Sequence, residues 1–102
     1  MMVEKLQLNL TLYIASADAE STQLIEHVQA VLKEHFGANA RLEVINVVSA
    51  PEKAAANNIF ATPMLQRELP LPVVKALGDI ANAKKIIGIL TKIDHTTSVV
   101  II

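Results

Sequence analysis

The side chains that could do chemistry are few in this chain, and their spacing limits what they could do. There is no cysteine, so disulfides, thiol exchange and thiolate metal sites are excluded. Three histidines, His27, His35 and His95, are the next candidates. His27 and His35 are eight residues apart in a helix-like segment, too far for a metal pair at i and i+4. Both read as helix-surface or boundary residues. Asp94-His95 would offer a carboxylate beside a base, but no serine or cysteine nucleophile is placed with it. It reads instead as the end of a helix, where a positive histidine is favourable. Gly37, Gly78 and Gly88 form no phosphate-cradling loop, and Lys84-Lys85 reads as a solvated face. Asp79 follows Gly78 just before a helix-like run and reads as its capping residue. Arg67 and Glu68 fit either a partner contact or a solvated strand edge. No set of residues makes an active site, so the expectation is a non-enzymatic protein without metal or cofactor.

What does stand out is a spacing of prolines. Pro63, Pro70 and Pro72, three of the four in the chain, fall within ATPMLQRELPLPVVKALGD, residues 61–79. Proline fixes its φ, removes a donor and restricts the residue before it, so no continuous helix runs through Leu69–Pro72. Met64–Glu68 and Val73–Leu77 read as two short strands joined by a proline-rich turn, a hairpin. Each X-Pro bond also has a cis form only about 0.5–1 kcal/mol above trans, reached over tens to hundreds of seconds.

The length of 102 residues suits one domain covering 1–102. Apolar residues make up 52% of the chain and aromatics 3%, so the core must be built from Ile, Leu, Val and Ala. A net charge of −1 and the lack of any basic run leave out the electrostatic footprint of a nucleic-acid binder. The opening MMVEKLQLNLTLYIAS is broken by Asn9 and Thr11 and lacks the form of a signal peptide. No stretch approaches the ~20 apolar residues of a membrane span. A cytoplasmic protein, without membrane or nucleic-acid partner, is expected.

The elements that must hold these residues follow from periodicity. Leu6, Leu8, Leu10 and Leu12 alternate with Gln7, Asn9, Thr11 and Tyr13, which predicts a strand continuing through Ile14 and Ala15. After a loop at Ser16–Asp18, with Asp18 or Ser21 as cap, Ala19–Phe36 has the 3–4 spacing of an amphipathic helix. Gly37 sits where a C-cap belongs. Arg41–Val48 is β-branched and predicts a second strand, parallel to the first through a right-handed βαβ unit. Pro51 suits the first turn of a short helix over Glu52–Asn58. Beyond the hairpin, Ile80–Ile93 places Ala83, Ile86, Ile87, Leu90 and Ile93 on one helical face, with a strand over Lys85–Ile93 as the rival reading. The tail Thr96–Ile102, TTSVVII, is β-prone and sticky if exposed.

The order βαβαββα plus a tail is the thioredoxin-like α/β arrangement, in which a cis-proline commonly opens the third strand, the position of Thr62-Pro63. The reactive cysteines of thioredoxin-like enzymes lie at the first strand–helix junction. Here that junction is Ser16-Ala17-Asp18-Ala19, none of which can exchange thiols. Ser16 and Pro63 would be all that remains of a glutathione site.

At ATPMLQRELPLPVVKALGDI the sequence resembles the KaiB family of clock proteins. The matching residues are Ala61, Thr62, Pro63 and Leu65, then Leu69 to Val73, then Gly78 and Asp79. Leu12-Tyr13-Ile14-Ala15 is similar to the family's Leu-Tyr-Val-Ala, Val44-Ile45-Asn46-Val47 to its Val-Ile-Asp-Val, and Pro51 also fits. The likeness extends from about Leu10 to Ile93. It implies a non-enzymatic regulator that binds the ring of a hexameric KaiC-type ATPase in a thioredoxin-like fold, with a KaiA-like protein or a histidine kinase as further partners. It also implies a second, rearranged fold of the C-terminal half that forms tetramers. The proline signature, Thr62, Pro63, Pro70, Pro72, Gly78 and Asp79, is then the conformational element, and proline rotation has the timescale for such a switch. Tyr13, Arg41, Glu43 and Asn46 are the candidate partner-binding residues. Glu43 stands where cyanobacterial members usually have a basic residue, and Asn46 where they have an acidic one. Apolar Val99–Ile102 replaces their acidic tail, and Ile89 and Thr91 stand near a Gly and an Asp typical of the last segment. A second reading, from these departures, is a homo-oligomeric stress-response protein, dimer or tetramer, that no longer binds KaiC.

Overall fold

The computed structural model describes residues 7–16, 18–59, 61–77, 82–91 and 99–101. Five strands form one sheet in the order β2-β1-β3-β4-β5. They are β1 (Leu8–Ile14), β2 (Ala40–Asn46), β3 (Met64–Leu69), β4 (Val74–Leu77) and β5 (Val99–Ile101), with helices α1 (Ala19–Phe36), α2 (Pro51–Ala56) and α3 (Ala83–Leu90). β1 runs parallel to β2 and antiparallel to β3, β3 antiparallel to β4, and β4 parallel to β5. This is the thioredoxin-like arrangement with one added edge strand. α3 is a helix, so the strand reading of Lys85–Ile93 and the rearranged alternative are not what the chain adopts here.

Period-two alternation divides the sheet into two unlike faces. On one, Leu8, Leu10, Leu12 and Ile14 of β1, Leu65 of β3, and Val74 and Ala76 of β4 meet Val28, Val31 and Leu32 of α1 and Ala83, Ile86, Ile87 and Leu90 of α3. All of these are buried, and they form the main core. On the other, Tyr13, Ile45 and Met64 pack with Val47, Ala50, Ile59 and Leu77 in a smaller cluster beside the short α2.

The helix ends follow the sequence signals closely. Asp18 caps α1 by accepting from the Ser21 amide at 2.9 Å, and Gly37 ends it at φ 56° with its own amide on the Lys33 carbonyl. Pro51 opens α2. α3 is capped by Asn82, which accepts from the Lys85 amide at 3.3 Å. The cap expected at Asp79 lies outside the described residues, as does Gly78. β2 stops at Asn46 rather than running to Val48, because the Asn46 side chain accepts from the Val48 amide at 2.9 Å and turns the chain. The Thr62-Pro63, Leu69-Pro70 and Leu71-Pro72 bonds are all cis, the first as the thioredoxin-like arrangement predicts.

Candidate functional site

The α2 side of the sheet carries the candidate site, because α2 covers only one end of it. β1 and β2 pair in register with Asn9 beside Arg41, Thr11 beside Glu43 and Tyr13 beside Ile45. These positions share the face turned away from the main core. Three of the four candidate contact residues, Tyr13, Arg41 and Glu43, are thereby brought together. Asn46 pairs with Ile14 and belongs to the opposite face, where its side chain is engaged in the turn after β2.

β3 completes the face through an irregularity. Leu10 pairs with Arg67 and Asn9 with Leu69, so Glu68 is the extra residue of a β-bulge. A bulge re-aims side chains, and here Glu68 Oε1 accepts from the Thr11 hydroxyl at 3.0 Å and from Gln66 Nε2 at 2.7 Å. Gln66 is buried, and its amide also reaches Asn57 Oδ1 of the α2 end at 3.5 Å. An open depression of about 450 Å³ is lined by Thr11, Tyr13, Glu43, Ile45, Lys53, Asn57 and Glu68. A neighbouring one adds Asn9 and Arg41 along the same strands. Lys53 Nζ stands 3.8 Å from Glu43 Oε2, both well exposed.

Two carboxylates and two cations, Glu43, Glu68, Arg41 and Lys53, set the electrostatics of this face. Tyr13 is 1% exposed, and its phenol is pushed above the usual tyrosine value, first by burial, then by the charges of Glu68 and of Glu43. The arrangement is a set of hydrogen-bond donors and acceptors edged by charges of both signs, suited to recognition. Among the described residues, no group of three or more His, Cys, Asp or Glu converges as a metal site.

The first strand–helix junction makes a second, smaller pocket of about 270 Å³, where Ser16, Asp18 and Ser21 face Thr62 and Pro63. Ser16 and Pro63 do meet there, but the polar groups are turned on each other. The Ser16 and Ser21 hydroxyls are 3.0 Å apart. The Asp18 carboxyl is held below the ordinary aspartate range, chiefly by the Ser21 amide it caps, then by the Ser21 and Ser16 hydroxyls.

Sequence reasoning missed Arg67. Far from lying on a solvated edge, it is fully buried on the main-core face, and its guanidinium donates to the Leu90 carbonyl and, at 2.9 Å, to the Pro72 carbonyl. The signal was its parity: Arg67 is two residues from Leu65 on a central strand and must share its face. Thr11, Gln66 and Asn57 were also missed, since nothing in their spacing distinguishes a polar network from plain surface. Pro70 and Pro72 lie in the β3–β4 turn, next to exposed Leu71.

Comparison with known proteins gives the family of the chain. The KaiB domain family matches residues 11–92, from the middle of β1 to just beyond α3. The circadian clock protein KaiB3 of Synechocystis sp. is 32% identical over 78 residues, 76% of each chain. The circadian clock oscillator protein KaiB of Microcystis aeruginosa is 35% identical over 78 residues, 76% of this chain and 75% of its own. Among solved structures, the N-terminal domain of Synechococcus elongatus SasA has a similar fold, with a TM-score of 0.69 and 20% identity over 90% of this chain and 87% of that one. The match spans both faces of the sheet and the whole proline turn, and on that extent the chain is a member of the KaiB family.

Proposed function

We propose that this chain is a clock-type regulator that acts by binding the ring of a hexameric KaiC-type ATPase rather than by catalysis. The observation that carries the reading is the KaiB domain match over residues 11–92, supported by relatives named as circadian clock proteins. The fold supports it too. The partly covered face, with exposed Arg41 and Glu43 on edge strand β2 beside buried Tyr13, has the mixed charges of a recognition surface. A KaiA-like protein or a histidine kinase with a similar sensor domain would compete for or join such a complex.

The test is binding to the cognate KaiC-type hexamer, once with ADP and once with a non-hydrolysable ATP analogue, followed from seconds to hours by light scattering. A complex whose formation depends on the nucleotide is expected. Absence of a complex in both nucleotide states overturns the reading.

A further inference from the structure

We propose that Val99–Ile101 of one copy of this chain adds to the β4 edge of a second copy, giving a strand-exchanged homodimer. The observation behind it is a conflict of handedness. β1 and β4 point the same way, since each is antiparallel to β3. α1 and α3 lie on the same face, packed together over one core. Yet β1 connects through α1 to β2 on one side of the sheet, and β4 connects through α3 to β5 on the other. Two parallel crossovers that leave in opposite directions over the same face have opposite hands. With β1–α1–β2 in the usual right hand of the thioredoxin-like fold, β4–α3–β5 is left-handed, an arrangement found in only about 2% of such connections.

The gain that offsets this within one chain is small. β5 pairs with β4 at three positions, Lys75 with Val99, Ala76 with Val100 and Leu77 with Ile101, and parallel pairing is the weaker kind per residue. Both pairing segments nevertheless need a partner. β4 would otherwise be an open edge, and β-branched Val99–Ile101 an uncharged apolar strand, two features that favour association between chains. Exchange keeps the same hydrogen bonds and removes the left-handed crossover from β4 to β5. The seven residues 92–98 can span at most roughly 25 Å at about 3.5 Å each, which allows a reach to a neighbour. Two-fold exchange closes on itself, so it yields dimers rather than fibres. Pairing within one chain has the advantage of an effective concentration in the mM range, and the handedness conflict lowers it, so the dimer is expected to grow with protein concentration. This inference is independent of whether the chain binds an ATPase ring.

The lack of native cysteine makes the test direct. Lys75→Cys and Val99→Cys, partners in register, are made as separate single variants, mixed at high concentration and oxidised. A disulfide-linked heterodimer in clear excess over either homodimer is expected, together with a light-scattering mass that doubles with concentration for the unmodified chain and stays monomeric for a chain ending at residue 98. The proposal is overturned if the mixture gives no excess of heterodimer while the double variant cross-links only within one chain, or if the unmodified chain is monomeric throughout.

Discussion

Arg67 shows what a single buried charge does in this molecule. Its guanidinium donates to two carbonyls from different parts of the chain. Leu90 is the last residue of α3, where the final carbonyls of a helix have no intrahelical partner. Pro72 lies in a turn whose prolines have no amide to offer. Arg67→Met would take this donor from the buried Leu90 carbonyl and the part-buried Pro72 carbonyl and is expected to lower the unfolding free energy by about 2–4 kcal/mol, read from urea denaturation. Arg67→Lys should recover only part of this, since one ammonium lacks the planar fork that spans both acceptors. Tyr13 tests the opposite face. It is the only tyrosine, and the chain has no tryptophan, so phenolate absorbance reports this residue alone. Its pKa is raised in the folded state, chiefly by burial. The corresponding stability is therefore complete below about pH 10, the ordinary tyrosine value, and is lost as pH rises through the folded one. A folded-state titration midpoint above 10 is expected, falling part of the way back in Glu68→Gln, because the Glu68 charge is the second cause and burial the first.

At the scale of elements, the two described glycines make opposite predictions from one measurement. An added Cβ meets nothing within 4 Å at either Gly37 or Gly88, so only backbone conformation decides. Gly37 closes α1 at φ 56° and ψ −125°, a sparsely populated conformation that costs an L side chain about 1–3 kcal/mol. Gly88 lies inside α3, where alanine is better by about 0.8–1 kcal/mol. In thermal unfolding, Gly37→Ala should lower and Gly88→Ala raise the midpoint. A fall at both positions would show that α3 needs its glycine for something other than helix geometry. The same elements show what a linear sequence reveals. α1 was legible at both ends because Asp18 and Gly37 act on adjacent backbone. β2 was read too long, since Val47 and Val48 continue a β-branched run, and it is Asn46 that ends the strand, its side chain taking the Val48 amide and its carbonyl the Ser49 and Ala50 amides. The proline hairpin was legible as two strands and a turn. The bulge at Glu68 was not, because it is a property of the pairing with β1 and not of β3 alone.

Across the whole molecule, the main core and the proposed contact surface occupy different faces of one sheet. Among the described residues the α1–α3 face is apolar apart from buried Arg67 and from Asn46 at the end of β2, and leucine and isoleucine spacing alone identified its elements. The α2 face is where the candidate site was only half legible. Register brought Tyr13, Arg41 and Glu43 together and put Asn46 elsewhere, and sequence spacing carries no register across strands more than 20 residues apart. This division makes a separable prediction. The Lys53–Glu43 pair is 3.8 Å apart with side chains 55% and 62% exposed, a geometry worth little to folding once solvent screening is counted. Glu43→Lys should therefore leave the urea midpoint nearly unchanged, within about 0.5 kcal/mol. If the α2 face is the one a KaiC-type ring meets, the same change should slow association severalfold and alter its salt dependence, as reversal of an interface charge does. A variant with unchanged stability and unchanged association would move the contact surface off this face. One with reduced stability would show that Glu43 supports the sheet rather than the partner.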